Sequence, residues 1–383
     1  MKKSNNRSFF HDNSGKKIKV LQVVNSLKIG GAELLLKNFS IEAKKNNQFT
    51  VDICTLFSTN DSGNIEELKN KNVHIRSFNL KNKYSLASIG KIKEILEREN
   101  YDIVHVHLFP ASAIVALSSI LIKKNIIFLF TVHSTFNKRR NIKMFKIIDA
   151  LIYHRYKKII CISRQVKNSL IEWVPGIKEK IEIIPNGIPI DVQYNDNSVR
   201  RKYDVLFVGR LVKEKGINYL LKAIDIIQKK YQKNIRVAIA GNGPMKTELV
   251  KMCEELKIRD SVEFLGFQRD IDSIMRFSRI LVLPSIWEGF GLVLLEAMKN
   301  RCAIIASNVG GIPEIITSGN DGLLIPKENS KILAHSIHLV LENAELRKLY
   351  TQNAYKKVQN NYSIEKYANK MFELYFKMMN NTF

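Results

Sequence analysis

Leu283-Pro284-Ser285-Ile286-Trp287-Glu288-Gly289-Phe290-Gly291-Leu292-Val293-Leu294-Leu295-Glu296-Ala297-Met298 reads as a strand end, a short loop and the start of a helix. The apolar run from Ile280 to Leu283 stops at Pro284, which has no N–H to give to a sheet. Two glycines follow, and helical spacing begins near Leu292. A glycine loop entering a helix N-terminus offers backbone N–H groups and a positive dipole end to an anion. Glu288 lies in the loop and Glu296 in the first turns of the helix. Two carboxylates around such a loop suit a ligand with both hydroxyls and phosphates, as a nucleotide sugar has.

The same strand-and-helix rhythm extends in both directions. Before residue 190, strand-like runs occur at Ile18–Val24, Phe49–Leu56, Val73–Phe78, Ile103–His107, Ile126–Val132, Lys158–Ser163 and Ile181–Ile184. Helical patterns such as Ala32–Lys45 and Ser88–Glu99 separate them. After polar sequence around 191–203 the rhythm restarts at Asp204–Val208, Ile235–Ala240, Val262–Phe267, Ile280–Leu283, Ala303–Ala306 and Gly322–Ile325. Helical pattern then runs from Ser330 to the end. Alternation of this kind predicts two doubly wound, Rossmann-like α/β domains, with ligand binding at the carboxyl ends of the strands in a cleft where the two sheets face. The expected division is a basic tail at 1–17, an N-terminal domain at 18–190, a linker at 191–203 and a C-terminal domain at 204–365. A final helical segment, 366–383, can cross back to the first domain.

A chain of 383 residues with 45% hydrophobic residues can fill two such cores. Its net charge of +25 is uneven: residues 1–190 hold 32 basic against 15 acidic side chains, leaving +17 there and +8 in the remainder. That excess calls for an anionic partner, whether lipid, phosphorylated substrate or nucleic acid. Cys54, Cys161, Cys253 and Cys302 are too far apart for a zinc motif and read as buried cytosolic thiols. The N-terminus lacks the apolar core of a secretory signal, and the longest apolar run, Ala111–Ile122, is about half a bilayer span. These features predict a cytoplasmic protein.

A second loop, Val208-Gly209-Arg210-Leu211-Val212-Lys213-Glu214-Lys215-Gly216, follows the first strand of the C-terminal domain. A guanidinium fork and an ammonium so placed can hold a diphosphate, although a lone basic loop is as often only solvated. Together the two loops resemble the retaining glycosyltransferases of family 4, of GT-B fold. The similarity continues through Gly30-Gly31-Ala32-Glu33, Thr131-Val132-His133, Ile183-Ile184-Pro185-Asn186-Gly187-Ile188, Ala240-Gly241-Asn242-Gly243-Pro244 and Asn308-Val309-Gly310-Gly311-Ile312-Pro313-Glu314.

The resemblance implies that Arg210 and Lys215, after Gly209, hold the donor diphosphate. It implies that Glu288 faces the donor sugar and Glu296 the ribose, while the backbone of Phe290, Gly291 and Leu292 reaches sugar and phosphates. Gly30 and Gly31 would approach the diphosphate from the other domain, and the nucleobase would lie near Phe267. His133 would sit beside the reacting sugar; the alternative is a hydrogen-bonded histidine at a strand end. His107 is the acceptor-side candidate and His105 a core residue.

Fixed cations and helix-end N–H groups can stabilise the departing phosphate without a metal or cofactor. The single Asp-x-Asp, Asp270-Ile271-Asp272, fits a helix start better than a metal site. Double displacement needs a second suitably spaced carboxyl. The family points instead to front-face substitution, in which the leaving phosphate takes the acceptor's proton. The expected activity is transfer of a hexosyl or N-acetylhexosaminyl group, with retention, from a UDP-sugar to a hydroxyl of a lipid-linked or cell-surface polysaccharide acceptor, as in capsule, O-antigen or lipopolysaccharide assembly. A sugar-nucleotide epimerase of the same fold would act on donor alone. A nucleic-acid-binding protein would show aromatics among the cations, and no such signature is present.

Residues 138–152 mix cations (Lys138, Arg139, Arg140, Lys143, Lys146) with Ile142, Met144, Phe145, Ile147, Ile148, Leu151 and Ile152 at helical spacing. Two readings stand: a basic amphipathic segment on the anionic inner face of the plasma membrane, or a core-facing helix with a solvated basic face.

Overall fold

The structure is a computed structural model that describes residues 17–380 apart from 29, 59–62, 81–86, 136 and 191–200, together with the backbone but not the side chain of residue 138. All of the basic tail but Lys17, and most of the expected linker, lie outside the described residues.

Among the described residues, thirteen strands make two parallel sheets. The first holds β1 (Ile18–Val24), β2 (Phe49–Phe57), β3 (Ile75–Leu80), β4 (Ile103–His107), β5 (Ile127–Val132), β6 (Lys158–Cys161) and β7 (Ile181–Ile183), in the order β3-β2-β1-β4-β5-β6-β7. The second holds β8 (Tyr203–Val208), β9 (Val237–Ala240), β10 (Val262–Gly266), β11 (Ser278–Leu283), β12 (Ala303–Ser307) and β13 (Leu323–Ile325), in the order β10-β9-β8-β11-β12-β13. Each order reverses once, between β1 and β4 and between β8 and β11, which is the doubly wound arrangement. The central strands are buried along their length: Ile280 to Leu283 and Ala303 to Ala306 are all 0–1% exposed. Continuous burial rather than alternation means that helices cover both faces.

By compactness the chain divides into Met1–Phe130 with Tyr375–Phe383, and Thr131–Leu374. In the first unit the C-terminal residues complete the core. Tyr375 is fully buried, and its ring meets those of Phe39 and Phe49 at 6.4 and 6.0 Å, while Phe376 packs edge-on against Phe49 at 4.9 Å. The tyrosine oxygen accepts from Gln22 Nε2 (2.9 Å) and lies 2.8 Å from His105 Nδ1.

The expected strands are present with shifted ends. Val73–Phe78 becomes Ile75–Leu80, and Lys158–Ser163 stops at Cys161 because Ser163 caps the next helix, its Oγ accepting from Val166 N at 3.1 Å. The helical pattern after Ser330 is three helices, Ser330–Glu342, Ala344–Asn361 and Ile364–Asn380. Asn343 separates the first two by capping the second, accepting from Leu346 N at 2.9 Å.

Candidate active site

The reversal of strand order at β8 and β11 sets the two motif loops side by side. The strands pair in parallel, Val205 with Ile280 and Leu206 with Leu281, so both loops leave from neighbouring carboxyl ends. Ile286 N donates to Glu214 O at 2.8 Å and ties one loop to the other. Lys215 Nζ forms an ion pair with Glu288 Oε2, the two side chains being 21% and 15% exposed. The other oxygen, Oε1, accepts from Gly289 N at 3.2 Å. Arg210, one residue beyond Gly209, is exposed and has no ion-pair partner among the described residues.

Phe290 is buried, its ring edge-on to Tyr362 at 6.1 Å. Its side chain is committed to the core, which leaves backbone as the part of this residue able to meet a ligand. Gly291 takes φ +92° as the N-cap of the Leu292–Lys299 helix, a left-handed conformation costly for a residue with a Cβ. The first N–H groups of such a helix have no intrahelical acceptor.

Glu296, partly buried on that helix, has its carboxyl pushed up to about 7, first by burial and then by the nearby Asp272 carboxylate, with Lys299 opposing. A raised acid pKa means that the folded state keeps a proton which the unfolded state releases. Stability therefore falls as pH rises from about 4.5 towards 7, and the cost is complete above that. Glu296→Gln, which cannot ionise, should gain in Tm relative to the wild type between pH 4.5 and pH 8. Calorimetry at the two pH values checks this; an equal difference at both would mean that Glu296 titrates normally.

His133 follows β5 and is partly buried; burial lowers its pKa to about 4, so it is a neutral hydrogen-bonding group near pH 7. Its backbone lies against the glycine loop: a Cβ built on Gly289 would come within 3.0 Å of His133 O and 3.3 Å of Ser134 Cα. The structure thus brings together Arg210, Lys215, Glu288, Phe290, Gly291 and His133 within one unit. Phe267 lies just past the end of β10, which stops at Gly266 rather than at Phe267, and is 47% exposed.

In the other unit, Gly30 is the N-cap of the Gly31–Ala43 helix, and the Glu33 carboxylate folds over it, 2.4 Å from where a Cβ on Gly30 would stand. His107 differs from expectation. It is 2% exposed, and its Nε2 is 2.7 Å from Gln22 Oε1. A ring so enclosed belongs to a buried polar network and has little surface to offer an acceptor. His105, expected in the core, is 1% exposed.

Asp270 caps the Ile271–Arg276 helix, accepting from Ser273 N at 2.9 Å. Asp272 meets Lys299 Nζ and Asn300 Nδ2, each at 2.6 Å. Both carboxylates have structural work.

Residues 138–152 form a 3-10 turn, Lys138–Asn141, followed by a helix, Met144–His154. Two expected surface cations turn inward. Arg139 pairs with the buried Asp149 at 3.1 Å, and Arg140 NH1 donates to Thr135 O (2.7 Å) and Ser169 Oγ (2.6 Å). The apolar residues divide: Ile152 and Tyr153 are buried, whereas Ile142, Met144, Ile147 and Leu151 are 52–67% exposed, flanked by exposed Lys143 and Lys146. The helix therefore faces the core on one side and leaves apolar side chains exposed on the other. No helix among the described residues is long and apolar enough to cross a membrane.

Two further residues brace the loop: Ser163, whose Oγ donates to Gly289 O at 3.0 Å, and Glu314, whose carboxylate accepts from Arg164 N and Gln165 N. The serine at a strand-to-helix corner is a capping signal that the sequence did carry. Its bond to a residue 126 positions away was not readable.

Comparison with known proteins agrees with this geometry. Residues 29–192 match the Glycosyltransferase Family 4 profile, and residues 194–357 match Glycosyl transferases group 1. An uncharacterized glycosyltransferase of Methanocaldococcus jannaschii is 30% identical over 362 residues, covering 88% of this chain and 92% of that protein. The Escherichia coli UDP-Gal:alpha-D-GlcNAc-diphosphoundecaprenol alpha-1,3-galactosyltransferase is 25% identical over 313 residues, 77% of this chain and 80% of that one. Among solved structures, Anabaena HepE in complex with UDP and glucose superposes with a TM-score of 0.80 at 21% identity, covering 94% of this chain and 100% of that one. With paired cations and a glycine loop at the switch point of its second sheet, the chain belongs to the group 1, family 4 glycosyltransferases, enzymes that use nucleotide sugars.

Proposed function

We propose that the enzyme transfers a hexosyl or N-acetylhexosaminyl group, with retention and without a metal, from a UDP-sugar to a hydroxyl of a lipid-linked or cell-surface saccharide. The observation that carries the donor site is the Lys215–Glu288 pair at adjoining strand ends. A bound diphosphate competes for the ammonium and, with Arg210, takes over its charge. Glu288 is then left to accept hydrogen bonds from sugar hydroxyls, and Glu296 from the ribose. As the C1–oxygen bond to the β-phosphate breaks, charge grows on that phosphate beside Lys215, Arg210 and the helix N-terminus at Gly291. The acceptor oxygen bonds to C1 on the same face, and its proton passes to the departing phosphate. His133, neutral near pH 7, can donate or accept one hydrogen bond at the sugar.

Binding to UDP-, GDP- and ADP-sugars by thermal shift, followed by the anomeric configuration of the product, tests this reading. UDP-sugars should raise Tm, and the product should keep the donor's anomeric configuration. An inverted product, or turnover of donor to an epimer without acceptor, would count against it.

The acceptor side rests on the exposed apolar face of the Met144–His154 helix with Lys143 and Lys146 beside it. Such a face suits an anionic leaflet, where each cation adds about 1 kcal/mol and buried apolar side chains add to it. Co-sedimentation with vesicles should increase with anionic lipid and fall in Ile147→Glu/Leu151→Glu. Binding that ignores both lipid charge and these substitutions would remove the membrane from the proposal.

A further inference from the structure

We propose that Glu314 is a positioning residue for glycosyl transfer, its carboxylate closing a ring of contacts that holds the Glu288–Gly289 peptide in register with His133. The inference rests on the reading that Glu288 faces the donor sugar.

The ring has four links. Gly310 and Gly311 lie directly against the glycine loop: a Cβ on Gly310 would fall 1.8 Å from Glu288 O, and one on Gly311 2.3 Å from Gly289 O. Gly311 N also donates to Glu288 O at 3.2 Å. Three residues on, Glu314 Oε2 accepts from Arg164 N at 2.9 Å and Oε1 from Gln165 N at 3.0 Å. These are the first two N–H groups of the Arg164–Trp173 helix, and the third, from Val166, is taken by Ser163 Oγ. That same hydroxyl donates to Gly289 O at 3.0 Å. That bond closes the circuit at Gly289, which in turn sits against His133 O.

Ser163 already caps the helix, so a second, charged acceptor from 150 residues away does more than finish a helix end. A carboxylate at a positive dipole end is a charge-assisted contact with fixed geometry. Tyr362 Oη donates to Glu314 O at 3.0 Å and pins the residue from its backbone side. Glu314 has no described contact with Arg210, Lys215, Glu288 or Glu296 side chains, so its effect must pass through backbone position. Displacements of about 1 Å at a reacting centre are enough to change rates strongly.

The test compares Glu314→Ala, Ser163→Ala and the double variant by kcat, donor KM, UDP affinity and Tm. Glu314→Ala should lower kcat by about tenfold or more while donor KM and UDP affinity stay within about twofold. Ser163→Ala should show the same split. The double variant should be little worse than the poorer single one, because a ring breaks once. Unchanged kcat, a parallel loss of UDP affinity and Tm, or multiplicative losses in the double variant would each overturn the proposal. Should Glu314→Ala fail to fold, Glu314→Gln keeps one oxygen for an N–H and gives the same readouts. Glu288→Gln separates the two levels. If that variant transfers sugar at the wild-type rate, the site reading fails. If it is inactive while Glu314→Ala is untouched, only the positioning role fails.

Discussion

Lys215→Ala should lower kcat/KM about a hundredfold, the loss usual for a charged group that meets developing charge in the transition state. The substitution acts twice. It removes the ammonium from the place where the diphosphate is proposed to lie, and it leaves Glu288, 15% exposed, without its cation. An unpaired carboxylate beside an incoming diphosphate repels it, so donor binding weakens as well as turnover. Lys215→Arg should not restore the rate, because a planar fork cannot replace a point charge in a partly buried pair. Tm should fall as well, because removing one partner leaves a largely buried carboxylate without its cation. Initial rates with the preferred donor check the result. Activity within a factor of two of wild type would take Lys215 out of the site.

Gly310→Ala should be the most damaging single-methyl change in the second unit. Gly310 has φ +57°, and its Cβ would fall 1.8 Å from the backbone oxygen of Glu288, which cannot turn aside as a side chain could. Left-handed strain of about 1–2 kcal/mol adds to about 1–3 kcal/mol for forced overpacking. Relief of the clash must move the loop that carries Glu288, so activity should fall together with Tm. Gly90→Ala supplies the contrast. Gly90 lies within the Ala87–Arg98 helix with nothing inside 4 Å of a new Cβ, and should gain about 0.5–1 kcal/mol. Urea denaturation of the two variants gives both signs in one experiment. Equal effects would mean that the Gly310 contact is not tight.

The contrast also shows what the sequence could reveal. Strand–helix alternation and the two motif loops depend on local pattern, and β1, β4 and β8 begin and end within a residue of where apolar runs do. Gly289, Gly291 and Gly310 are visible as glycines, but which backbone each must admit depends on topology. His107 shows the limit from the other side. Its position at a strand's carboxyl end is readable, whereas its enclosure depends on Gln22 and on Tyr375 from the far end of the chain. The inward turn of Arg139 and Arg140 was hidden for the same reason: Asp149 can be noticed as a helical neighbour, but the Ser169 partner of Arg140 comes from another element.

Tyr375 has a consequence for how the protein is made. Gln22 and the tyrosine that satisfies it are 353 residues apart, so β1 leaves the ribosome long before its hydrogen-bond partner exists. At about 5–20 residues per second, tens of seconds pass in which Gln22 and His105 wait without Tyr375. During that interval the nascent first unit lacks the side chain that completes its core, and premature termination before residue 375 would release a chain unable to finish it.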